Sequence, residues 1–132
     1  MSTLTSIRVR DVQLDAATAL LAGGELRIYT GTQPAGPASP ATGDLLIAVP
    51  LGSPAFAPAS AGTAALVTPS PSTVTATGTA GWFRLIESDL VTGAYDGACS
   101  LPGDSGELQL PTLAFTSGAT LSDLTLTLTL PA

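Results

Sequence analysis

Apolar and polar residues alternate with a period of two along several parts of the chain, and each such run predicts a β-strand. The clearest run interleaves Leu124, Leu126, Leu128 and Leu130 with Thr125, Thr127 and Thr129. A slip of one residue would expose every leucine, so burial sets its register. Glu25 to Thr30 places Leu26 and Ile28 on one face and Arg27 and Tyr29 on the other. Leu45 to Leu51 points Leu45, Ile47 and Val49 one way, with Pro50 marking its end. The run Trp82 to Glu87 differs, because Trp82, Arg84 and Ile86 share one face while Phe83 and Leu85 share the other. Large apolar groups on both faces predict a central strand covered on both sides. The predicted core is Leu26, Ile28, Trp82, Phe83, Leu85, Leu124, Leu126 and Leu128.

Shorter pieces complete the pattern. Ser72 to Thr77 reads as a short strand with Val74 inward, and Glu107 to Phe115 as two pieces split by Pro111. Tyr95 belongs to a strand, and Asp96-Gly97 predicts a tight turn. Gly52 to Pro71 predicts irregular edge structure, with Phe56 and Ala64 to Val67 as its core insertions, because proline is confined to sheet edges. Leu14 to Gly24 is the helix candidate, with Asp15 accepting from its first turn and Gly23 or Gly24 stopping it. Residues 1–14 read as an arm. Its Ile7-Arg8-Val9-Arg10 alternation fits either a strand that pairs with a neighbouring subunit or a solvated segment. The fold class expected is all-β: an antiparallel, jelly-roll-like β-sandwich with one short N-terminal helix, in a single domain over 15–132.

The Gly31 to Gly43 stretch carries Pro34, Pro37 and Pro40 and predicts a long loop without regular structure. Loops of that length inside compact domains tend to be functional. Gln33, Pro34, Pro37 and Pro40, together with Ile7, Arg8, Val9 and Arg10, are therefore the candidate contacts with other subunits or other proteins.

Composition narrows the classes. Charged residues are 11% of the 132, against an apolar fraction of 45% and a net charge of −6. The positive charges are Arg8, Arg10, Arg27 and Arg84, and there is no lysine. Arginine without lysine, beside much Ala, Gly and Pro, matches a GC-rich coding sequence. Affinity for phosphate comes from clustered Lys and Arg, so neither nucleic acid nor an anionic membrane is an expected partner. No apolar window reaches the ~18–20 residues of a spanning helix. No secretory pattern opens the chain, so synthesis and retention in a cytoplasm are expected unless the chain leaves inside a larger particle. A surface of hydroxyls and small side chains suits packing against other proteins.

The chemistry is sparse. Without histidine the Ser-His-Asp and Cys-His arrangements are absent. One cysteine, Cys99, leaves no zinc ligand set and no intrachain disulfide. Without lysine there is neither a Schiff base nor a P-loop. Glu87 with Asp89, and Asp104 with Glu107, offer carboxylates of the kind used in glycoside hydrolysis or calcium binding, but neither spacing matches a calcium loop. Solvated turn acids account for them. No catalytic, cofactor or metal site is expected. Trp82 reads as core or subunit contact rather than a sugar platform, and Arg84 stacks on an aromatic ring or pairs with an acid.

The segments Leu26-Arg27-Ile28-Tyr29-Thr30-Gly31-Thr32-Gln33-Pro34, Thr42-Gly43-Asp44-Leu45-Leu46 and Gly78-Thr79-Ala80-Gly81-Trp82-Phe83-Arg84, with an Asp96-Gly97 turn and the Leu/Thr strand ending at Pro131, resemble a group of small structural proteins of tailed bacteriophages and prophages. The resemblance spans Leu26 to Pro131 and carries no catalytic residue. It implies a virion component, foremost a capsid decoration (cement) protein on the outer head surface, oligomeric and bound to the major capsid protein or other virion proteins. A tail, collar or fibre-associated position is the alternative. A carbohydrate- or receptor-binding β-sandwich module is the reading from a different class.

Overall fold

The structure, a computed structural model, describes residues 6–67, 69, 71–104, 106–121 and 124–129. Among the described residues one helix, α1 (Ile7–Ala19), precedes eleven strands: β1 (Glu25–Tyr29), β2 (Leu45–Pro50), β3 (Thr63–Ala65), β4 (Ser72–Thr73), β5 (Gly78–Thr79), β6 (Trp82–Ile86), β7 (Gly93–Ser100), β8 (Leu108–Gln109), β9 (Ala114–Phe115), β10 (Thr120–Leu121) and β11 (Thr125–Thr129). Seven of them form one sheet in the order β2-β1-β6-β7-β8-β11-β3, and β4 with β10 and β5 with β9 make two small ribbons. The fold is all-β and sandwich-like. Its departure from a purely antiparallel arrangement is the parallel pairing of β7 with β8.

The apolar run of β6 makes it central, as its two-faced pattern requires. All five of its residues are buried. On the inner face Phe83 lies opposite Ile28 and Leu85 opposite Leu26. Ile28 and Leu26 in turn face Ile47 and Val49 of β2. These six side chains join Leu14 and Leu21 from the helical end, Leu108, Leu124, Leu126 and Leu128 from the far strands, and Val74, Phe115 and Leu121 from the ribbons in one core cluster. Each buried leucine contributes roughly 1.5–3 kcal/mol by transfer from water. The β11 residues alternate exposed and buried as the Leu/Thr pattern demands, while Leu130 lies outside the described residues.

Three expectations are corrected. Asp96-Gly97 is no turn but the middle of β7, facing Arg84 and Phe83 respectively. A Cβ at position 97 would lie 2.5 Å from the Phe83 ring. The glycine is there to let the ring lie across the strand. In β2, Leu45 is not an inward residue. A bulge pairs Tyr29 with Leu45 and Ile28 with Ile47, so Leu46 turns into the core and Leu45 is left exposed. One extra residue on a bulged strand reverses the face of what precedes it.

The third correction concerns the N-terminal region. Residues 7–10 are not a strand, and the helix does not begin at Asp15. Ser6, in extended backbone, caps α1 by accepting from the Val9 N–H at 3.2 Å, as a serine at a helix N-cap does. The alternation of Ile7 and Val9 is too short to outweigh a capped helix that then buries Leu14, Thr18 and Leu21 on one side. The helix passes through position 14, so residues 7–14 belong to the body of the domain. Asp15 serves instead as an anchor. One carboxylate oxygen accepts from Ala59 N–H at 2.7 Å, and Asp11, one turn earlier, accepts from Gly62 N–H at 2.8 Å. Together they fasten the Ala61-Gly62 turn, left-handed at both residues, to the helix.

Both ends of the large sheet are covered by proline-containing chain, as edge strands require. On β2, Leu46 C=O accepts from Thr75 N–H at 2.8 Å. On β3, Ala65 C=O accepts from Ala57 N–H, and Val67 N–H donates to Ala55 C=O. Of the expected irregular edge over 52–71, the chain around 55–57 forms this cover with Phe56 inserted in the core, whereas Thr63–Ala65 pair as the regular strand β3; positions 68 and 70 lie outside the described residues.

Truncating Phe83 to alanine should cost about 3–5 kcal/mol through the cavity left in the inner face. Gly97→Ala should cost about 1–3 kcal/mol by overpacking the same ring. Denaturant unfolding measures both, and a near-neutral result for either would contradict the packing described.

Candidate functional site

The outer face of β6 holds a grouping of aromatic and charged side chains. Trp82 stacks on Tyr29 of β1, with centroids 4.6 Å apart and planes 12° from parallel. Strand pairing places the two residues directly opposite each other. Arg84, two residues along on the same face, puts its guanidinium carbon 5.2 Å from the Trp82 ring centre. Asp96 faces it from β7 in a two-pronged contact: Arg84 Nε donates to Oδ1 at 2.7 Å and Nη2 to Oδ2 at 3.0 Å. The two side chains are 8% and 1% exposed. The bond from Asp96 raises the Arg84 pKa further above its ordinary value, against the opposing effect of burial. Arg84 therefore does both things expected of it, stacking and pairing.

The proline-rich loop between β1 and β2 closes over this grouping. Arg84 Nη2 also donates to Gly36 C=O at 3.2 Å, and Trp82 Nε1 donates to Thr42 C=O at 3.3 Å. At the loop's base Thr30 N–H donates to Asp44 C=O at 3.0 Å, and Asp44 N–H donates to the Thr30 hydroxyl at 2.9 Å. Gly43 has φ +80°, and a Cβ there would overlap Thr30 C=O. The loop is thus a roof with its own anchors. Gln33 and Pro40 are exposed on it, while Pro34 and Pro37 are half-buried.

The N-terminal candidates lie elsewhere, on α1, which packs near β3. Arg8 and Val9 are exposed and Arg10 is half-buried, its Nε enclosed without a hydrogen-bond partner. At about 100° per residue, Val9, Val12, Ala16, Ala19 and Leu20 fall in one outward sector. Val9 is 47% exposed, Val12 61% and Leu20 54%. Alongside, an open groove of about 480 Å³ runs between the helix and Pro54, Phe56 and Pro58, with Asp15, Thr18 and Ala19 on its helical wall. The loop and helix candidates do not converge on one site.

Other chemistry is dispersed. Among the described residues no group of three His, Cys, Asp or Glu side chains is placed to hold a metal ion. Asp89 accepts from Val91 N–H, Thr92 N–H and the Thr92 hydroxyl, and the Thr92 bonds first, then that from Val91, hold its pKa below the ordinary value. Glu107 accepts from Ala98 N–H at 3.0 Å. Burial, with a smaller contribution from the charge of Glu107, pushes the Cys99 thiol up to about 12. Burial likewise raises the Tyr95 pKa. Sequence reasoning did not single out Val12, Leu90 or Val91; the expectation that Leu20 and Leu21 together plug one end of the sheet holds for Leu21, which is buried, and fails for Leu20, whose side chain turns outward at the end of α1. The signal was available in Leu90-Val91, two large apolar residues placed within a turn between strands.

No protein family, no curated protein and no solved structure matches this chain.

Replacing Asp96 by alanine should cost about 3–5 kcal/mol, because it leaves the Arg84 guanidinium buried and unpaired. The double variant Asp96→Ala with Arg84→Met should recover part of that loss in urea unfolding. Cys99 should resist iodoacetamide in the native protein at pH 8 and react only on unfolding, since the thiolate is the nucleophile. Mass spectrometry of the labelled protein gives the answer.

Proposed function

We propose that this chain is a structural virion protein of a tailed bacteriophage or prophage, decorating the outer surface of the capsid and stabilising it through protein contacts. The observation that carries the reading is the outward stripe of α1, where Val9, Val12 and Leu20 are about half exposed or more with no charged residue between them in that sector. Apolar surface of this kind marks a protein-facing side when it is contiguous. The polar grouping of Arg84, Asp96 and Trp82 is occupied internally, so it supports a scaffold role rather than chemistry. The burial of Trp82, fully enclosed against Tyr29 and the loop, disfavours the sugar-stacking reading.

Two further features support the same conclusion. The net charge of −6 suits the exterior of a DNA-filled head, where a DNA-facing surface would favour basic groups. The "IYTGTQPA" and "TGTAGWFR" segments, at Ile28–Ala35 and Thr77–Arg84 with their resemblance to small phage structural proteins, sit at the base of the roofing loop and along the central strand. The functional consequence is that the resembling residues build the scaffold, and contact with the shell and with other copies falls to exposed side chains.

Purified particles of the encoding phage provide the test. Quantitative mass spectrometry should find the chain in copy numbers of the order of the major capsid protein, and cryo-EM should place it on the outer head. A few copies per particle would instead assign it to the tail, collar or fibre base, and absence from particles would end the virion reading.

A further inference from the structure

The turn joining β6 to β7 carries two large apolar residues into solvent: Leu90 is 45% exposed and Val91 81%. Leu90 also has φ +60°, a left-handed conformation that a bulky side chain adopts at a free-energy cost. Glycine or asparagine would occupy that position with less strain. Neither residue repays the cost inside the chain, since neither belongs to the core cluster.

The turn is nonetheless held in one shape. Leu90 N–H donates to Glu87 C=O at 2.9 Å and Glu87 N–H to Thr92 C=O at 2.9 Å. Asp89 accepts from the Val91 and Thr92 N–H groups and from the Thr92 hydroxyl. Arg27, fixed by Glu25 at 2.8 Å, donates from Nη2 to Leu90 C=O at 3.2 Å. The C-terminal end of α1 abuts the turn, with Ser88 N–H donating to Leu20 C=O at 3.4 Å. A pre-organised apolar projection of this sort loses little freedom when it docks.

We propose that the Leu90-Val91 tip is a docking knob that inserts into an apolar socket rimmed by arginine or lysine on a different protein. Resting on the virion reading above, this assigns the socket to the capsid shell. The chemistry of the partner follows from the charges at the base of the knob. Glu87, Asp89 and Glu25 surround it, Asp89 is held ionised by its hydrogen bonds, and the one arginine there, Arg27, already pairs with Glu25. A second copy of a chain with net charge −6 would bring carboxylate against carboxylate. A basic rim would be complementary.

The test uses full-length chain and particles from a lysogen whose copy of the gene has been deleted, with co-sedimentation as the readout. Leu90→Asn and Val91→Thr remove apolar area while keeping the turn, and thermal unfolding checks the fold. The expected result is wild-type binding that weakens as salt rises, and binding by the double variant weaker by about tenfold or more. Its unfolding midpoint should be unchanged or higher, because asparagine relieves the left-handed strain. Equal binding by variant and wild type would overturn the knob and leave the virion role standing. Conversion of a wild-type oligomer into a monomer by the variant would make the tip a self-contact and overturn the assignment to a different protein. Failure of the wild type to bind particles would overturn the virion role and the knob together.

Discussion

A charged side chain at the middle of a sheet sets the terms for this fold. Arg84 lies on the central strand with 8% of its side chain exposed, and Asp96 on the next strand answers it at 2.7 Å. Removing two charges from water is costly, and mutual attraction offsets that cost only when the geometry is good and the remaining donors are satisfied. A further guanidinium donor is satisfied by a backbone carbonyl at Gly36, delivered by the loop between β1 and β2. The loop's path is therefore coupled to the pair. Trp82 imposes a second requirement, since its ring needs cover and its N–H needs an acceptor, and Thr42 supplies the acceptor from the other end of the same loop.

One segment thus closes the outer face of β6 at two points, while the leucines, isoleucines and phenylalanines of the inner face close the other. The three prolines of the loop reduce the freedom it loses on docking. Glycine is required where the roof meets the wall: at Gly43 against Thr30, and at Gly81 where a Cβ would overlap Gly31 C=O. A scaffold built this way has Arg84, Asp96, Trp82 and Tyr29 committed to holding itself together.

The sheet was legible where alternation was long or two-sided. The Leu/Thr run and the doubly apolar Trp82–Ile86 stretch each have one arrangement that hides their large side chains, and the structure adopts it. Local signals misled where a tertiary partner outweighed them. Asp96-Gly97 has the composition of a turn, but Arg84 claims the aspartate and Phe83 occupies the space beside the glycine. Ile7 and Val9 alternate like a strand, but Ser6 caps a helix and Asp11 and Asp15 fasten it to the 59–62 turn. The bulge at Leu45 depends on pairing with β1 and has no local signature. For the candidate surface, the sequence marked off the loop, while the part of its arm from residue 7 onward is the first half of α1. It did not show that the loop is a roof, because the contacts concerned join residues some forty positions apart.

The covered edges of the large sheet have a consequence for crowding. A protein held in many copies at close range meets its neighbours continually, and an open strand edge would invite a backbone ladder that grows without a natural limit. Here the carbonyls of Leu46 and Ala65 and the N–H of Val67 already have partners within the chain. Neighbours contacting these segments meet side chains before they meet unpaired backbone. Contacts of that kind are set by shape and charge, so they can be specific, finite in number and reversible.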